Sequence, residues 1–260
     1  MSTPASTQLD PTGTRLPLQP LTARAVLRSV NDPDASSGSL SRLVELDPAL
    51  SATVLRMANS PYFGVSGRVG GARQAVVMLG VKTVGSLAIS RTASLVFSDD
   101  ESVAPPGYWT HSVATAVACS VLAPHAGIPE DEAFTTGLLH DIGSLVLHAD
   151  DTTNKDDALS GAVTFGAELL ARWGMPRTCV SAIRHLAADP SVVSEPLARV
   201  LYAAHCLAIS VAEDAPHPWS TSPREGLVLV GIAPSRVDEL SARVSSEIDR
   251  IAAFISGVAA

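Results

Sequence analysis

The sequence predicts an all-α fold arranged as two helical lobes. Three observations predict it. Alanine and leucine abound while aromatic residues are only 4%, and alternating β-branched runs are hard to find. Helix start and stop signals recur from Leu21 onward. An acidic, proline-containing stretch from Ser98 to Gly107 interrupts the helical pattern and reads as a linker between lobes.

Taken in order, residues 1–20 carry prolines at 4, 11, 17 and 20 among Ser and Thr and read as a flexible tail. The first lobe covers 21–98. In it, Ser39 or Ser41 caps a short helix through Leu46. Asp47 caps the next, with Pro48 at its first position and Leu50, Val54, Leu55 and Met57 on one face. Pro61 and Gly64 stop it. A helix from about Arg73 to Leu79 ends at Gly80, and another runs from Val81 to about Phe97. The second lobe covers 108–215. Its first helix runs from Trp109 to about Ala123. Pro129, Glu130, Asp131 and Glu132 open the next, acids lying where the helix dipole favours them, and that helix is expected to reach about Leu147. Residues 149–157 form a polar loop. Helices follow at 159–173, 176–187 and 194–213. Residues 216–260 read as an extension: a Pro-, His- and Trp-rich turn, then a last helix at about 234–255. The apolar run Leu227 to Ile232 reads as the end of a helix.

At 260 residues and 46% apolar content the chain can bury a sizeable core. No apolar stretch is long enough to cross a membrane, and the N-terminus lacks the basic start and apolar core of a secretory signal. The net charge of −8 opposes a phosphate-backbone partner, so nucleic acid is not expected. Cys119, Cys179 and Cys206 show no CxxC spacing and read as reduced, buried thiols. The expected location is cytoplasmic.

The strongest chemical signal is the run Gly137 to Gly143, with His140 and Asp141 adjacent among apolar residues. Burying both polar groups without partners would be costly. They could share a metal, for which mixed nitrogen and oxygen donors are suited. On these residues alone, a hydrogen-bonded structural pair is the more ordinary reading. His111, His185 and His205 fall where a cluster could form, while His125, His148 and His217 read as surface or capping residues. No G-x-S-x-G elbow, phosphate-binding loop or G-x-G-x-x-G turn is present.

Several motifs in sequence resemble a known family. Leu46-Asp47-Pro48-Ala49-Leu50, the run Met57 to Gly64, Ala75 to Gly80, Tyr108 to Ser112, Ala133 to Gly143, and Leu170 to Pro176 leading to His185 together resemble the HDOD domain over roughly residues 20–215. That domain is a relative of the HD phosphohydrolases and, more distantly, of the HD-GYP cyclic di-GMP phosphodiesterases. The resemblance implies a two-lobed helical bundle with an HD-like second lobe. It implies His111, His140 and Asp141 as metal ligands, with His205 where the superfamily places a later aspartate. It also marks departures: Ala162 where a further histidine is expected, a single His185-Leu186 in place of paired histidines, Ser144 in place of a lysine, and no Gly-Tyr-Pro element.

The resemblance therefore implies a bacterial signal-transduction module acting by protein–protein interaction, without catalysis and without a cofactor. One alternative is a degenerate metal phosphohydrolase in which His111, His140, Asp141 and His205 hold one divalent iron, manganese or zinc ion. Another is a protein that binds a nucleotide second messenger without cleaving it, with Arg68 and Arg73 as phosphate contacts. For the interaction reading, Tyr62 and Phe63 on the loop from Asn59 to Gly71 are candidate contacts with a signalling partner, and His185 is a further candidate binding residue. Packing of both rings into the core is the competing expectation.

Overall fold

The computed structural model describes residues 16, 19–31, 37–63, 67–80, 82–88, 104–105, 107–149, 158–190, 192–212 and 222–259. Among them, no residue lies in a β-strand. The first lobe comprises α1 (Pro20–Asn31), α2 (Ser37–Leu46), α3 (Pro48–Ala58), α4 (Ala72–Leu79) and α5 (82–88). The second comprises α6 (Tyr108–Leu122), α7 (Glu130–Leu139), α8 (Ile142–Ala149), α9 (Ala158–Arg172), α10 (Arg177–Arg184), α11 (Pro196–Ala212) and α12 (Pro223–Leu229), and α13 (Val237–Ala259) follows. Of the expected linker at 98–107, only residues 104, 105 and 107 are among the described residues.

Local signals start and stop the first-lobe helices. Buried Asp47 accepts from the Leu50 amide at 2.9 Å, satisfying one of the orphan donors at the start of α3. Its second oxygen accepts from the Gln19 amide at 2.8 Å. The expected tail therefore ends earlier than residue 20: Leu16 is buried and Gln19 is tied to Asp47. Gly80 ends α4 with a positive φ of 80°, a conformation that glycine adopts without steric penalty.

One further expectation is corrected. The helix expected to run from Pro129 to Leu147 is broken at His140 and Asp141 into α7 and α8. The run from Leu227 does end a helix as expected: α12 closes at Leu229 and is begun by a capping box between Ser222 and Glu225. α13 packs against α1 and α6 as well as α11, burying Leu240, Val244, Ile251 and Ile255, so it bridges the two lobes.

The centre of the second lobe is α6, which packs on α7, α11 and α13. α7 also meets α3 and α4 of the first lobe. Close backbone approach is built in by glycines. A Cβ at Gly137 would lie 2.8 Å from both the Ala116 Cα and the Thr115 carbonyl oxygen. The α6–α7 crossing thus brings His111 and His140 within reach of one another.

Candidate metal centre

Three helical segments each deliver one histidine. His111 stands in the first turn of α6, whose start is set by Gly107 in the left-handed conformation. His140 is the C-cap residue of α7. His205 sits in the middle of α11, which is buried over most of its length. All three are buried, with 8%, 2% and 1% of their surface exposed. One ligand nitrogen from each lies within 4.8 Å of the others. The ring centroids are 5.0 to 5.3 Å apart.

The helix break explains the orientation of His140. Its Nδ1 donates to the Gly137 carbonyl at 2.7 Å, a carbonyl that an unbroken helix would bond to the amide of residue 141. With its proton on Nδ1, neutral His140 presents a lone pair on Nε2. That atom lies 3.2 Å from His111 Nε2. A second interaction of this kind is how proteins fix the tautomer of a metal-binding imidazole. Sequence reasoning did not single out Gly137 for this role; the spacing of three residues to His140 on a helix was the available signal.

Asp141 turns elsewhere. Its carboxylate accepts from the Ser144 hydroxyl, and its carbonyl accepts from the Ser144 amide at 3.1 Å. It thus organises the first turn of α8 and stands outside the three-histidine group. Burial pushes its carboxyl up to about 7, the Ser144 hydroxyl opposing the shift. The neighbouring Tyr108 hydroxyl is held well above its usual range by burial, and the Asp141 charge adds to that.

The histidine cluster fits a metal ion. Two imidazole nitrogens on a tetrahedral ion at roughly 2.05 Å stand about 3.3 Å apart, close to the separation of 3.2 Å seen for His111 and His140. The Thr115 hydroxyl, one turn along α6 from His111, is buried with no hydrogen-bond partner among the described residues, a polar group facing an interior it does not match. A bound divalent ion would supply Lewis acidity there.

The other candidates lie apart from this cluster. His185 is exposed at the end of α10, its Nδ1 donating to the Ser181 carbonyl at 2.8 Å. Tyr62 is 89% exposed and meets Phe63 edge-on; Phe63 is half-buried against the core. The two rings divide, one outward and one inward. Arg68 is exposed. Arg73 is held by both oxygens of buried Glu45 at 3.2 and 3.0 Å, which raises its pKa further. Arg73 also lines a cleft of about 600 Å³ between α2, α4, α6, α7 and α13, with Arg42, Arg243, Arg250, Glu45 and Phe134.

Fold and site together define an all-helical protein of the HD superfamily. The HDOD domain model matches residues 16–154, and the HD domain model matches residues 108–210. The chain belongs to the HDOD domain family. Among solved structures, the response regulator MmoQ from Methylococcus capsulatus is 26% identical, covers 90% of this chain and 98% of its own, and superposes with a TM-score of 0.71. A virulence factor from Campylobacter jejuni shares the fold, with a TM-score of 0.61 at 18% identity over 90% of this chain and 93% of its own. An uncharacterized protein of Treponema pallidum (strain Nichols) is 25% identical over 195 residues, which are 65% of this chain and 37% of that protein. The chain thus spans little more than a third of that relative's length. No helix among the described residues is long and apolar enough to cross a membrane.

Proposed function

We propose that this protein is a regulatory module of bacterial signal transduction, working in the cytoplasm by contact with a signalling protein. Its HD-type centre holds one metal ion that ties α6, α7 and α11 together and does not turn over substrate. The observation that carries this reading is the depth of the histidines. A hydrolytic centre keeps one coordination position open to water and substrate, whereas His140 and His205 are sealed to within 2% of full burial. The carboxylate beside them organises α8 instead. MmoQ, a protein of nearly the same extent, is named a response regulator, and we carry that class of role to this chain. Exposed Tyr62 is the contact expected to reach the partner, aromatic rings being favoured at interfaces.

The test is turnover. The full chain, loaded with zinc or manganese, is assayed against bis-p-nitrophenyl phosphate and cyclic dinucleotides. The expected result is hydrolysis no faster than that of the His140→Ala variant. Hydrolysis that disappears in that variant would sink the reading in favour of a phosphohydrolase.

One observation favours a second reading. The cleft of about 600 Å³ lies within the size range of small-ligand sites, and Arg73, Arg42, Arg243 and Arg250 could meet the phosphates of a nucleotide messenger while Phe134 faces its base. Arg68, the other arginine expected to serve, does not line this cleft. Cyclic dinucleotides should then raise the melting temperature of the wild type and not of an Arg243→Ala, Arg250→Ala double variant.

A further inference from the structure

We propose that His205 makes this an all-nitrogen centre, one that selects a zinc-type ion over manganese and magnesium. The inference rests on the metal-holding part of the function proposed above and concerns which ion the centre takes.

The donor set carries it. The group that closes within 4.8 Å consists of three imidazoles, and no carboxylate joins it among the described residues. The Asp141 carboxylate is engaged by the Ser144 hydroxyl. His140 is locked with Nε2 as its donor atom by the Gly137 carbonyl, and His111 Nε2 faces that atom. His205 completes the set from the middle of α11, where it is fully buried. Imidazole suits zinc, cobalt, nickel and copper. Manganese and magnesium prefer carboxylate, carbonyl and water oxygens, and magnesium gives up its waters reluctantly. Affinity for nitrogen donors also rises from manganese towards zinc. Three neutral ligands leave the ion's double positive charge in a buried place without a counter-charge from the group. Only strong metal–nitrogen bonds can offset that cost, and these are what manganese and magnesium lack. An oxygen donor at position 205 would both supply negative charge and favour the harder ions, so this one residue sets the preference.

The experiment uses the full chain stripped of metal with a chelator. Zinc and manganese chlorides are titrated separately by calorimetry, and melting temperatures are recorded with each ion and with magnesium. Wild type should bind one equivalent of zinc, on the order of a hundredfold more tightly than manganese, and show no shift with magnesium. In His205→Asp the zinc-to-manganese ratio should fall about tenfold or more. Because that variant places a new charge in the core, His205→Gln is measured beside it; it keeps the volume without the charge and should lose zinc affinity. Circular dichroism of each apo variant checks that the helices persist. Equal affinities for zinc and manganese in the wild type would overturn the proposal, as would an unchanged ratio in a folded His205→Asp. Absence of any metal binding would overturn it too, while leaving the non-catalytic reading standing. Turnover of phosphodiesters would defeat that reading without touching the ion preference.

Discussion

A methyl group added at Gly143 would collide with the carbonyl oxygen of Ala162, and the Gly166 amide stands 3.0 Å away on the same side. Both obstacles are backbone, so neither can rotate aside. Gly143→Ala is expected to push α8 off α9 and lower stability by about 1–3 kcal/mol, the usual cost of overpacking. Gly161, on the same helix α9 with nothing near its missing Cβ, is the control. Gly161→Ala should raise stability by about 0.5–1 kcal/mol, the difference in helix propensity. Urea denaturation of the two variants separates the effects by sign. At the same scale, the thiols are predicted to be silent. Burial pushes Cys179 up to about 12, Cys119 is raised further by the same cause, and Cys206 is also buried. At pH 8 a thiol with a pKa near 12 is thiolate only about once in ten thousand molecules. An aromatic disulfide reagent should therefore find no fast thiol in the native protein and three in concentrated guanidinium. A native thiol reacting within seconds would mean that the core opens around it.

The start of α4 shows how an element can depend on a distant one. Its N-cap residue, Gly71, has no side chain to offer. The orphan amides are served from α7: Thr135 Oγ1 accepts from Ala72 at 3.0 Å, and the Asp131 carboxylate accepts from Arg73 at 3.4 Å and Gln74 at 3.3 Å. A side chain at Gly71 would run into Asp131, so the missing Cβ is what admits the foreign cap. Asp131→Ala is expected to cost about 1 kcal/mol, the worth of an N-cap, and hydrogen exchange should accelerate at the amides of residues 72–74 before any change in α6. Equal acceleration everywhere would mean global destabilisation instead of an uncapped helix. This cap also marks what the sequence could and could not tell. Asp47 with Pro48, and Gly80 after Leu79, were legible because cap and helix are neighbours in the chain. The break between α7 and α8 was not: apolar residues continue through His140 and Asp141, and the break depends on one imidazole bonding the Gly137 carbonyl and on α9 lying against Gly143. α12 had a readable signal in Ser222 and Glu225, spaced as a capping box, which the apolar run after them obscured. At the site, the family resemblance offered His111, His140, Asp141 and His205 as ligands; that three of them converge comes from the packing of α6, α7 and α11 and could not be read from their spacing. It could not reveal that Asp141 faces Ser144, a matter of one side-chain rotation.

At the scale of the molecule, the two lobes are held by elements far apart in sequence. α13 contacts α1 at one end of the chain and α6 at its centre, and Arg42 of α2 reaches Glu247 of α13 at 3.3 Å while stacking over Phe254. Such pairings leave no trace in local periodicity, which is why 216–260 read as an extension. The energetic consequence can be bounded. Leu240, Val244, Ile251 and Ile255 are each at most 6% exposed, and fully burying a side chain of this kind contributes about 1.5–3 kcal/mol. Four of them amount to about 6–12 kcal/mol, which matches the whole stability of a typical domain, about 5–15 kcal/mol. The exposed pair Arg250–Glu247 adds little beside that. Deleting residues 237–260 is therefore expected to abolish cooperative unfolding of the remaining chain, since both α1 and the outer face of α6 lose their cover. Replacing Glu247 by Ala, which removes only the ion pairs, should shift the midpoint by less than about 1 kcal/mol. If the truncated chain still melts in one sharp transition near the wild-type temperature, the lobes hold together through α3, α4 and α7 alone, and α13 is a cover added to a core that did not need it.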